Sequence, residues 1–169
     1  MLSEILSKEQ CASCRFCCAF RRVSLWETPI FTKENIEAIK EDSNLDASSL
    51  LEFINENKTY ARYDLSNAYK TEDSEEEAPC PFLSENGCVL DNNEKPWDCK
   101  IWPLRVMKKK DGKTVIALTP TCPGVNKLDL ETVREFCRRK LSDSLFEYAF
   151  EHPYLIKEYR EDFPILEER

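Results

Sequence analysis

The 169-residue chain is long enough to bury a core of its own, yet it carries nine cysteines, three glycines and a single histidine. Lys plus Arg number 24 against 32 Asp plus Glu, a net charge of -8, which argues against a broad nucleic-acid surface. Gly87, Gly112 and Gly124 do not stand at phosphate-loop or dinucleotide-fingerprint spacing, and the lone His152 leaves no HExxH zinc site, no histidine-bearing deaminase motif and little scope for a Cys-His pair.

In chain order, residues 1 to 10 read as a short amphipathic helix with Leu2, Ile5 and Leu6 on one side. They lack the basic and apolar regions of a secretion signal, and no run of about eighteen apolar residues follows. A soluble cytoplasmic protein without membrane contact is expected. In that compartment thiols stay reduced, so dense cysteine points to metal or redox chemistry rather than a disulfide framework.

The block Cys11-Ala12-Ser13-Cys14-Arg15-Phe16-Cys17-Cys18 places four thiols within eight residues. If helical, it puts Cys11, Cys14 and Cys18 on one face; if extended, Cys17 and Cys18 point to opposite sides. Thiolates so close repel one another, and thiols so close oxidise, unless a cation gathers them.

Thr32 is placed to cap a helix running to about Asp42, with Phe31 and Ile36 as a hydrophobic staple. Asp46 repeats the device, and Leu50, Leu51 and Ile54 predict a second helix to about Asn57. Residues 60 to 69 suit a short strand. The run Glu72-Asp73-Ser74-Glu75-Glu76-Glu77 reads as a self-repelling mobile loop rather than a partner-binding acidic patch.

From Pro79 to Gly124 six prolines and four cysteines imply irregular backbone held by something other than a packed face. Within it, Arg105–Lys108 and Lys113–Leu118 flank Asp111-Gly112, a hairpin signal whose three lysines form a solvated end. Asp129 then predicts a long helix to about Phe150, with Leu130, Val133, Phe136, Cys137, Leu141 and Leu145 on its apolar stripe, followed after Pro153 by a short helical tail.

The second cysteine group is Cys80, Cys88, Cys99 and Cys122. Cys80 lies between two prolines and Cys122 precedes one, which suits rigid ligand-bearing turns. A CxxCxxC run, and a cysteine followed by proline, are features of loops that wrap a [4Fe–4S] cluster, whereas zinc is more often announced by two separated CxxC pairs. The spacing therefore favours an iron–sulfur cluster, with Zn2+ as the alternative. Cys137, alone on a helical stripe, reads as a core thiol, and His152 as a surface or capping residue. Trp97, Trp102, Phe16, Phe20 and Phe82 are placed to shield a cluster or simply to pack. Arg15, Arg21, Arg22, Lys100 and Arg105 are placed to offset its charge, to hold an anion, or to be solvated.

These residues resemble the CxxCxxCC proteins, a zinc- or iron-chelating family often called YkgJ-like cysteine cluster proteins, to which flagellin lysine N-methylases also show similarity. The matching blocks are Cys11 to Cys18; Cys80-Pro81-Phe82-Leu83 with Cys88-Val89-Leu90; and Lys95-Pro96-Trp97-Asp98-Cys99-Lys100-Ile101-Trp102-Pro103. Lys95 and Lys100 stand where arginine is usual, which keeps the charge and loses the bidentate fork. The resemblance implies a metal or iron–sulfur centre and leaves activity open; lysine methylation is conceivable by similarity alone, without a glycine-rich cofactor loop.

The expected protein is thus a single α+β domain over residues 1–169, mainly helical, with one β-hairpin, motif blocks at 11–18 and 79–124, and a helical segment at 129–169. Its ligands are expected among Cys11, Cys14, Cys17, Cys18, Cys80, Cys88, Cys99 and Cys122. They hold a cluster for electron transfer or cluster-dependent chemistry with a redox or protein partner. The rival is a zinc-stabilised interaction module.

Overall fold

A computed structural model of the chain describes residues 8–169, apart from the side chains of residues 8, 9 and 25–27. Most of the helix expected over residues 1 to 10 lies outside the described residues. From Lys8 a helix, α1 (Lys8–Cys14), runs into the first cysteine block. The chain divides into two compact units, Cys11–Lys100 and a second that contains Ile101–Arg169.

In the first unit, β1 (Ala19–Arg21) pairs antiparallel with β5 (Glu77–Pro79). β2 (Phe31–Thr32), β3 (Leu50–Asn55) and β4 (Lys58–Tyr63) form a sheet of order β2-β4-β3. The helix predicted after Thr32 is present as α2 (Lys33–Glu41). The Thr32 N–H donates to Asn35 Oδ1 at 3.2 Å, and Phe31 and Ile36 are both buried beside the cap.

The second predicted helix is instead a strand. Asp46 caps only one 3-10 turn, Ala47–Ser49, by accepting the Ser48 N–H at 2.9 Å. The chain then extends as β3, turns at Glu56 and Asn57 with φ of 48° and 63°, and returns as β4. Leu50, Leu51, Phe53 and Ile54 stand at helical spacing, while Phe53 and Ile54 are also of types that favour strands. Pairing with β4 decides for the strand, because it stacks the Phe53 ring on Tyr60 with centroids 6.0 Å apart.

The acidic run is organised rather than loose. Glu76 accepts the backbone N–H groups of Lys70 and Thr71 at 2.6 and 2.8 Å, Arg21 pairs with Glu75 at 2.8 Å, and Glu77 opens β5. Those N–H donors hold the Glu76 carboxyl below the usual carboxylate range. Two short strands, β6 (Leu83–Ser84) and β7 (Gly87–Cys88), then form a tight antiparallel pair. A short helix, α3 (Trp97–Ile101), carries Cys99.

The second unit is built on the predicted hairpin, β8 (Leu104–Lys108) and β9 (Thr114–Leu118). It widens to the order β10-β8-β9-β11 through β10 (Lys157–Glu158) and β11 (Ile165–Glu168); the helical tail expected after Pro153 is a single 3-10 turn, Pro153–Leu155, followed by these strands. The long helix from Asp129 is two, α4 (Leu130–Lys140) and α5 (Ser142–Glu151), broken at Leu141 with φ -128° and ψ -31°. The bend lets Val133 and Cys137 of α4, and Leu145, Phe146 and Ala149 of α5, all reach buried positions.

The α+β class therefore holds, but a mainly helical domain with one hairpin does not: among the described residues there are five α-helices and eleven strands. No helix among the described residues is long and apolar enough to cross a membrane. Glu56 occupies a left-handed conformation that suits Asn far better. Glu56→Asn is expected to stabilise the β3–β4 hairpin by about 0.5–1 kcal/mol, seen as a higher urea midpoint.

Candidate metal centre

The two cysteine-bearing stretches of the first unit meet through the β1–β5 ladder. Ala19 opposes Pro79, so the next residues out, Cys18 and Cys80, continue the ladder, and the Cys80 N–H donates to the Cys18 carbonyl at 2.7 Å. Cys80 accepts in turn from the Leu83 N–H at 3.0 Å, and Leu83 is the register partner of Cys88 across β6–β7. The third arm is anchored by Asn35 at the start of α2, whose Nδ2 donates to the carbonyls of Asn93 and Lys95 at 2.8 and 3.1 Å. Buried Asp98, beside Cys99, accepts the Ile30 N–H at 3.4 Å.

These anchors bring Cys18, Cys80, Cys88 and Cys99 within electrostatic reach of one another. Burial pushes the Cys80 thiol up to about 11, and the neighbouring Cys18 and Cys88 push the same way. Cys99 and Cys88 are raised by desolvation first, then by charges that include the other cysteines. Both residues are exposed. Cys18 is raised chiefly by its hydrogen bond with the side chain of adjacent Cys17, while Lys95 and Arg15 act in the opposite direction. None of the nine cysteines forms a disulfide.

Cys11 and Cys14 are exposed on α1, not on a common face with Cys18, because the helix ends first. Arg15 adopts a left-handed conformation, with φ 54°, and Phe16–Cys18 form a separate 3-10 turn. Arg15 fixes this corner by donating to the carbonyls of Ala12 and Glu85. Gly87 keeps the opposite side clear: at φ +102°, a Cβ on it would lie 3.3 Å from the Ala12 Cβ. The first cysteine block is thus held against the β6–β7 turn next to Cys88.

Cys122 is buried in the second unit. Cys137 is also there, inside the apolar face of α4, with its thiol pushed up to about 12 by burial and then by the Glu167 carboxylate. His152 ends α5, its ring 4.5 Å from that of Tyr148.

Among the shielding candidates, Phe20 and Phe82 are buried, Trp97 is partly buried, and Phe16 is exposed. Arg22 lies over the Tyr69 ring at 4.4 Å; Arg105, buried, lies over Trp102 at 5.2 Å in the second unit. Lys100 has its pKa lowered by burial and by neighbouring Lys95.

Two contributors escape a reading of the sequence. Asn35 has the signal of its position at the third residue of a capped helix, but nothing local announces that it also ties down residues 93–95. Tyr63, the last residue of β4, has its hydroxyl 3.2 Å from Cys80 Sγ. Only the long-range pairing of the strands places it there.

Among the described residues, no three Cys, His, Asp or Glu side chains are drawn together closely enough to form a ready ligand set. The donor chemistry nevertheless fits a thiophilic metal: four thiols that resist ionisation together, with the Lys95 ammonium beside two of them. Comparison of the chain with family models, curated proteins and solved structures found no match.

The Gly87 approach gives a direct test. Gly112 also has positive φ, at +90°, but nothing lies within 4 Å of a Cβ there. Both alanine variants should lose about 1–2 kcal/mol from backbone strain, but Gly87→Ala should lose more and speed tryptic cleavage after Arg15. Equal losses and equal cleavage would contradict the packing of α1 on β7.

Proposed function

We propose that the first unit holds a metal centre on cysteine thiolates, an iron–sulfur cluster of the [4Fe–4S] type, and that the protein serves as a redox or electron-transfer component. What supports this reading is that Cys18, Cys80, Cys88 and Cys99 feel one another's charge while sitting on three separate arms, each fixed by its own hydrogen bonds, although no three of them stand as a ready ligand set. Cys11, Cys14 and Cys17 supply further thiols on the CxxCxxCC block. When bound, such a cluster supplies one-electron chemistry that amino-acid side chains do not.

The chain's own residues do the rest. Phe20, Phe31, Phe82 and Leu90 keep water from the inner side of the thiols. Lys95 and Arg15 offset the negative charge of the thiolates, as the pKa of Cys18 reflects. Phe16 and Val89, next in sequence to ligand positions, are 49% and 46% exposed and give the outer rim an apolar surface for a partner.

Ligation also explains why thiols are spent here. Four neighbouring cysteines with raised pKa values contribute little as free groups, whereas metal binding strips their protons and turns mutual repulsion into attraction. Without metal, the β6–β7 turn and residues 91–99 lose that common tether.

Anaerobically purified protein is expected to be brown, with iron and sulfide in stoichiometric amounts. Cys80→Ser or Cys99→Ser should abolish loading, while Cys137→Ser should leave it intact. Colourless protein containing only zinc would replace the cluster with a zinc-held interaction module. Loading lost in Cys137→Ser but kept in Cys80→Ser would overturn the ligand assignment.

A further inference from the structure

The Cys80 sulfur has a buried hydrogen-bond partner in the hydroxyl of Tyr63. Tyr63 is 6% exposed, and its ring is wedged among Phe20, Phe31 and Phe82, with centroids at 5.5, 5.2 and 6.1 Å. Those contacts fix the ring plane, and the hydroxyl at its end lies 3.2 Å from Cys80 Sγ. In the protonated protein the thiol donates to the tyrosine oxygen. A hydroxyl can serve either way, so loss of the thiol proton reverses the bond and the phenol becomes the donor.

We infer that Tyr63 is a positioning residue for the centre: its buried hydroxyl donates the hydrogen bond that holds and tunes the Cys80 sulfur once that sulfur binds metal. This rests on the thiolate reading given above. A phenol, with an ordinary pKa of about 10, carries its proton at neutral pH and is available as a donor. Donors to a ligand sulfur withdraw electron density from it, which strengthens a negatively charged centre and moves its electronic levels.

Cobalt(II) added to the metal-free protein reads this directly, because thiolate ligation produces a sulfur-to-cobalt charge-transfer band whatever the native metal is. Tyr63→Phe keeps the ring and removes the donor. It is expected to move the band to longer wavelength and to weaken cobalt binding about tenfold, the size of one hydrogen bond to a charged acceptor. Replacing Tyr63 by 3-fluorotyrosine strengthens the donor and should move the band the other way. That second variant retains hydroxyl and ring, so it decides the matter alone if Tyr63→Phe does not fold. A thiolate band that neither variant moves would overturn the role of Tyr63 and leave the metal centre standing. Absence of any thiolate band in the wild-type protein would overturn the centre, and the donor role with it.

Discussion

Two antiparallel strands of three residues each, β1 and β5, carry the arrangement of the first unit. Without their pairing, Cys18 and Cys80 are separated by 61 residues of chain, and closing such a loop for a metal alone costs considerable entropy. The ladder closes it beforehand with backbone hydrogen bonds, ending in the 2.7 Å bond from Cys80 to Cys18. Cys80 is itself part of the buried aromatic cluster of this unit, which fixes its place. The third arm needs its own anchors, and Asn35 and Asp98 provide them from opposite ends of residues 93–98.

That scaffold creates an electrostatic tension. Four thiols lie near one another in a partly desolvated region where ionising any one makes the next harder to ionise. Lys95 and Arg15 relieve part of it at Cys18, and backbone donors relieve part at Cys80 and Cys88. A soft cation, if bound, would relieve the remainder, and the proposed centre rests on that. Cys137 is the internal contrast: it too has a raised pKa, but burial in α4 and then the Glu167 carboxylate, rather than other thiols, raise it.

How much was legible from the residues depended on how local the deciding interaction is. The caps at Thr32 and Asp129 and the Asp111-Gly112 turn are short-range signals, and α2, α4 and the β8–β9 hairpin follow them. Residues 50–55 carry apolar side chains compatible with helix or strand, and their partner, β4, decides. The C-terminal strands β10 and β11 are edge additions to a hairpin some fifty residues earlier, a relation with no local trace. The same divide runs through the centre. Cysteine spacing marks the candidate ligands, while the mutual influence of Cys18, Cys80, Cys88 and Cys99, and the approach of Tyr63, depend on strand pairing. Cys122 has the proline-flanked signature of a ligand turn and lies buried in the other unit.

The most direct test is X-ray absorption at the K-edge of whichever metal accompanies the purified protein. A first shell made of sulfur alone, at about 2.3 Å, is the predicted result. A first shell of nitrogen and oxygen, with the cysteines left outside it, would contradict the account.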